Sequence, residues 1–160
     1  MNSLSTQILS LYDVAHRLLY LGADGQPIYS DSFTRLNGEV LRQADALFSF
    51  RGATDEEEAS LCLALLMGYN ATIYNNGDKE QRIQAVLNRC WDILERLPAS
   101  LLKVRLLTYC YGEVFDEELA REVHSIIESW SNREFTDEEK EIVVLLGDME
   151  ESPYPNSEIE

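Results

Sequence analysis

Nineteen consecutive residues, Ala59 to Gly77, carry no charged side chain. No other stretch constrains the fold as strongly. The stretch includes Ser60, Gly68, Asn70, Thr72, Asn75 and Asn76, and the acidic run Asp55 to Glu58 precedes it. A membrane-spanning helix needs about 20 predominantly apolar residues, so this one falls short. A helix that is apolar on nearly every side, in a chain not destined for lipid, must lie at the centre of a protein core. Thr54 with Glu57 three positions later forms a capping box, and the acids of the first turn complement the helix dipole. The predicted central helix therefore starts at Thr54, and Asn75-Asn76-Gly77 closes it.

The rest of the chain reads as amphipathic helices packed around that element. Leu4, Ile8, Leu11, Tyr12, Ala15, Leu18 and Leu19 recur at helical spacing and lack the pattern of a signal peptide. A second helix follows Asp31 or Ser32 as its cap and runs to about Arg51. A fourth starts near Asp78, with Ile83, Val86, Leu87, Cys90, Trp91, Leu94 and Leu97 on one stripe. The fifth, about Ala99 to Tyr111, is ambiguous, because Lys103 to Leu106 alternates as a strand would. Its helical neighbours and the lack of a partner strand favour helix. Asp116 caps a sixth helix carrying Leu119, Ala120, Val123, Ile126, Ile127 and Trp130. Thr136 and Glu139 form a second capping box that opens a seventh, with Ile142, Val143, Leu146 and Met149 inward. Short connections imply antiparallel neighbours. The expected fold is all-α, a single-domain bundle of about seven helices over residues 1–151, with an acidic tail over 152–160. Repeat-like helix hairpins are a further option, although no 34-residue period is visible.

Charge excludes some functions. The chain holds 13 basic and 29 acidic residues, a formal net charge of -16. Nucleic-acid binding needs Lys and Arg to displace phosphate counterions, so none is expected; attraction to an anionic membrane is disfavoured in the same way. Most of the charge is at one end: residues 113–160 carry 3 basic and 16 acidic side chains. Such a segment either keeps the protein soluble or docks a basic partner.

No catalytic pattern emerges. His16 and Asp13 share a helix face without a third ligand, and the residue three before His124 is Arg121, which breaks the Glu-x-x-His spacing of di-iron bundles. Cys62, Cys90 and Cys110 lie among apolar residues with no C-x-x-C pair, which fits buried reduced thiols in the cytoplasm. Cys110 has no base close in sequence, and glycines are too sparse for a phosphate loop. Neither enzyme activity nor any cofactor or metal is predicted. Trp91 and Trp130 read as core. Tyr109 and Tyr111 point to different sides of a helix, so one of them should approach the surface. Tyr154, between two prolines, reads as a tail anchor or a partner contact.

Four strings carry a family resemblance: Leu21-Gly-Ala-Asp-Gly-Gln-Pro-Ile-Tyr-Ser-Asp31, Glu57-Glu-Ala-Ser-Leu-Cys-Leu-Ala-Leu-Leu-Met-Gly-Tyr-Asn-Ala-Thr-Ile-Tyr74, Leu97-Pro-Ala-Ser-Leu-Leu-Lys-Val-Arg-Leu-Leu-Thr-Tyr-Cys-Tyr-Gly-Glu113 and Pro153-Tyr-Pro155. Over nearly its whole length the chain resembles the UpxZ-type transcription antiterminator antagonists of gut anaerobes with several capsular polysaccharide loci. The resemblance implies a protein-protein inhibitor of NusG-like antiterminators from other loci, so that transcription of non-cognate capsule operons stops early. It brings no catalytic residues. NusG-like proteins touch RNA polymerase and nucleic acid, often through basic surfaces, which an acidic protein can occlude. The expected contact face is Glu113, Asp116, Glu117 and Glu118, with Tyr111 and Tyr154 as apolar anchors. The RNA polymerase complex is a second possible target, and a homodimer through an exposed apolar patch is left open. A helical adaptor with no role in transcription is the alternative reading.

Overall fold

The structure is a computed structural model and describes residues 3–22, 25, 29–73 and 78–151. Among these residues the fold is all-α, with seven helices and no strand: α1 (Leu4–Leu19), α2 (Ser30–Leu47), α3 (Asp55–Ala71), α4 (Lys79–Leu94), α5 (Leu101–Val114), α6 (Glu117–Glu128) and α7 (Asp137–Glu151). They fall in two compact units, Met1–Arg96 and Leu97–Glu160. No described helix is long and apolar enough to cross a membrane. The expected helix end at Asn75-Asn76-Gly77 and the tail 152–160 lie outside the described residues.

In the first unit α3 is the central element and packs against α1, α2 and α4. Every residue from Leu61 to Tyr69 is buried, as an apolar run without a polar face requires. Each buried leucine there stabilises the fold by about 1.5–3 kcal/mol. The helix begins where expected: the Thr54 hydroxyl accepts from the Glu57 N–H at 3.1 Å. The return bond differs from a standard capping box, because Glu57 accepts from the Ala53 N–H at 2.8 Å, one residue earlier. Polar pairs set the direction of the neighbours. The Asn37 side-chain Oδ1 accepts from the Ile73 N–H, while the Val40 and Ala44 side chains face Gly68, so α2 runs antiparallel to α3. Arg82 reaches the Tyr69 hydroxyl, Arg89 reaches Glu58 and Arg96 reaches Asp55, so α4 is antiparallel to α3 as well.

In the second unit α5 packs against both α6 and α7. The strand-like alternation of Lys103 to Leu106 belongs to a helix. Ser100 caps it, accepting from the Lys103 N–H at 3.2 Å. Lys103 is buried, yet its ammonium donates to the Leu97 carbonyl at 3.3 Å and pairs with Glu122 of α6 at 2.8 Å. A long stem laid along apolar surface with a satisfied head explains why a lysine interrupts this core.

Several boundaries and side chains depart from the sequence-based expectation. Tyr29, not Asp31 or Ser32, is the N-cap of α2, and Asp31 lies in its first turn. Asp78 is the N-cap residue of α4 as expected, but its carboxylate accepts from Arg82 at 2.9 Å and makes no cap bond. Trp91, expected in the core, is 38% exposed, because it lies one position off the buried stripe of Leu87, Cys90 and Leu94. Trp130 is buried just beyond the end of α6, with Phe135 edge-on at 5.8 Å. All three cysteines are buried thiols outside any disulfide, and the neighbouring Cys90 thiol, then burial, raise the Cys62 pKa far above the usual thiol range.

The second capping box forms in full. The Glu139 N–H donates to the Thr136 hydroxyl at 3.1 Å, and the Thr136 N–H donates to the Glu139 carboxylate at 2.8 Å. Arg133 adds a fork of two bonds at 2.8 Å to the same carboxylate. The Arg133 guanidinium, then the Thr136 N–H, lower the Glu139 pKa to about 2. A depressed carboxyl contributes stability that is fully present above its unfolded value near 4.5 and is lost as pH falls toward 2. The stability difference between the wild type and Glu139→Gln should therefore be largest at neutral pH and shrink between pH 4.5 and 2. Urea unfolding at pH 7, 4 and 2.5 measures it, and a difference independent of pH would rule out this charge as the cause.

Candidate interaction site

The corner between α5 and α6 gathers the acidic residues singled out in the sequence. Phe115 closes α5 with a left-handed backbone (φ 55°), its N–H donating to the Tyr111 carbonyl at 2.7 Å. This turn reverses the chain within two residues and brings Asp116 to the N-cap of α6, where its carboxylate accepts from the Glu118 N–H at 3.0 Å. Asp116, Glu117 and Glu118 are exposed, and Glu113 is half-buried. Part of this charge has a local purpose, since carboxylates at a helix N-terminus stabilise it. Glu117 and Glu118 are nevertheless exposed, as is Val114 a few residues earlier in the chain, at 42%. An apolar side chain bordered by carboxylates fits a partner whose apolar contact is flanked by Lys or Arg.

Tyr111 does not belong to that surface. It is 1% exposed, and its ring meets Phe115 edge-on at 5.5 Å. Tyr109 is buried too, at 7%. The expectation that one of the two tyrosines reaches the surface is thus corrected: α5 is buried on most sides, so both project into packed surroundings. Val114 takes the exposed apolar place, and only its position next to Glu113 hinted at it. Tyr154 lies outside the described residues.

The other groups weighed for chemistry are engaged structurally. Asp13 pairs with Arg17 at 2.6 Å, and the His16 ring stacks on Tyr12 and lies tilted against Tyr20. His124 bonds Glu150 of α7 at 2.9 Å. Among the described residues no group of three His, Cys, Asp or Glu is placed to hold a metal ion.

The first unit has a polar recess at the start of α3, lined in part by Arg51, Arg89 and Arg96. Arg89 forks onto Glu58 at 2.8 and 3.0 Å and donates to the Phe48 and Phe50 carbonyls at 3.1 and 2.8 Å. Arg96 forks onto Asp55. Burial opposes the Glu58 charge, but Arg89 and the Gly52 N–H outweigh it and hold the carboxyl below its usual range. These arginines tie the loop after α2 to α3 and α4.

The model of the UpxZ family of transcription anti-terminator antagonists matches residues 8–112. The crystal structure of a transcription anti-terminator antagonist UpxZ from Bacteroides uniformis ATCC 8492 is similar over 99% of both chains, at 54% sequence identity and a TM-score of 0.90. No curated protein matches the chain. The acidic corner from Glu113 onward lies beyond the span of the family model but within the span of the solved structure.

Proposed function

The chain belongs to the UpxZ family of transcription anti-terminator antagonists, and from that premise we propose that it is a cytoplasmic protein-protein inhibitor of NusG-like antiterminators encoded by other capsular polysaccharide loci. Non-cognate capsule operons are then transcribed less, and the cell makes mainly one capsule. Family membership carries this reading. The acidic corner of α5 and α6 supports it, since a strongly negative surface attracts a basic target and repels RNA. Inhibition works by covering the surface through which the antiterminator engages RNA polymerase or nucleic acid.

Calorimetry and stopped-flow binding against a panel of NusG-like antiterminators, at two salt concentrations, tests the proposal. Non-cognate members should bind, and binding should weaken as salt rises. The combined variant Glu113→Lys, Asp116→Asn, Glu117→Lys and Glu118→Lys should slow association by about tenfold or more, since surface charge acts mainly on encounter. Asparagine at 116 keeps a side-chain oxygen for the N-cap. Unchanged association would remove the corner from the interface. A wild-type protein that binds no panel member would overturn the function.

A further inference from the structure

Given the functional reading above, we propose that a groove between the N-terminal turns of α1 and α3 seats an apolar side chain of the antiterminator, while a Lys or Arg beside it pairs with Glu56. The groove encloses about 330 Å³ and is lined by Ser5, Ile8 and Leu9 from α1 and by Glu56, Glu57 and Ser60 from α3. That volume is at the small end of ligand clefts, which run from about 300 to 1,000 Å³. It suits one or two side chains better than a cofactor. Ile8 is buried in the floor, whereas Leu9 is 68% exposed. The stripe that packs α1 onto its own unit is Ile8, Leu11, Val14, Ala15 and Leu18. Leu9 lies about 100° around the helix from that stripe, so packing does not account for a leucine there.

The rim supplies the charge. Glu57 is held in place, accepting from the Ser5 hydroxyl at 2.6 Å and from the Ala53 N–H at 2.8 Å. Glu56 is exposed and makes no ion pair among the described residues. Among the described residues no basic side chain lines the groove. An apolar floor under an uncompensated carboxylate matches an apolar residue flanked by a cation, a common form of anchor at protein interfaces. A second copy of this chain fits less well, because it brings a further net charge of -16 to an acidic rim. All the lining residues except Ser5 lie within the span of the family model.

The test uses the full chain and the antiterminator that the wild type binds most tightly. Leu9→Ser should weaken binding by about tenfold or more, the scale of a hot-spot residue. Glu56→Gln should weaken it by about threefold and flatten its salt dependence. Val144→Ser, which changes an apolar residue of α7 that is 62% exposed, should leave affinity unchanged. Circular dichroism melts confirm that each variant folds, as substitution at exposed positions should allow. Wild-type affinity in both Leu9→Ser and Glu56→Gln would overturn the groove and leave the functional reading standing. Failure of the wild type to bind any antiterminator would overturn the functional reading and the proposed occupant with it. Self-association in sedimentation that disappears in Leu9→Ser would assign the groove to a second copy and overturn the proposal.

Discussion

Replacing Arg89 with alanine should destabilise the protein by about 3–5 kcal/mol, the usual cost of removing one partner from a buried ion pair. The side chains of Arg89 and Glu58 are only 11% and 12% exposed. Without the guanidinium, Glu58 keeps a desolvated charge whose remaining strong partner is the Gly52 N–H at 2.7 Å. The Phe48 carbonyl loses its Arg89 donor as well, and the Phe50 carbonyl keeps only the Arg51 guanidinium at 3.1 Å. The loss should persist in high salt, because a buried pair is screened much less than an exposed one. It should also depend on pH with a definite sign. The Glu58 carboxyl is held below its ordinary value, so its contribution is present at neutral pH and fades as pH falls through that lowered value. Urea unfolding of the wild type and variant at low and high salt measures this. A loss under about 1 kcal/mol would put the pair with exposed salt bridges and refute its structural role. The double variant Glu58→Ala/Arg89→Ala should lose less than the sum of the two single losses, since the second substitution removes the charge stranded by the first.

The fold was legible wherever local pattern and burial agree. The charge-free run of α3 must be surrounded on all sides, and Thr54, Asp116 and Thr136 cap their helices through bonds that span two or three residues. Both the cap and the helix it starts are local, so spacing alone reveals them. Side chains at the edge of a stripe were less legible. Trp91 and Tyr111 each lie one helical step from a clearly buried residue, Cys90 and Cys110 respectively, yet one is exposed and the other is buried. A step of about 100° decides neither outcome, because the answer depends on how many neighbours surround the helix. α4 keeps an open face, whereas α5 is buried from Val104 around to Tyr111 except at Arg105. The candidate surfaces were legible only in part. Acidic residues in a row announce the corner at Asp116, but Val114 and Leu9 look like ordinary members of apolar helices until their exposure is known. The recess around Arg89 is assembled from residues about 30 to 40 positions apart and leaves no mark in any short window.

Gly52→Ala should be the most damaging change of a single methyl group in the first unit. A Cβ at residue 52 would sit 2.2 Å from the Glu58 nitrogen and 2.6 Å from the Glu57 carbonyl carbon and the Glu58 Cα. All three are backbone atoms in the first turns of α3, so no side-chain rotation relieves the clash. Either the loop withdraws or the helix start unwinds. Withdrawal breaks the Gly52 N–H bond to Glu58 and pulls the Phe50 carbonyl away from Arg89, so the steric cost adds to loss of the network that the Arg89 variant disrupts. A loss of about 3 kcal/mol, the upper end of overpacking costs, is expected. Gly38→Ala provides the contrasting case. Its Cβ meets nothing within 4 Å, and the residue is on the exposed side of α2. Removing a glycine from a helix interior there should raise stability by about 1 kcal/mol. The two variants add the same atom to the same residue type, so helix propensity and hydrophobicity alone cannot produce opposite signs. Combining Gly52→Ala with Arg89→Ala separates the contributions: if the glycine acts through the network, the double variant should lose clearly less than the sum. Full additivity would mean that Gly52 matters only for the close approach of two backbones, independent of the arginine that crosses them.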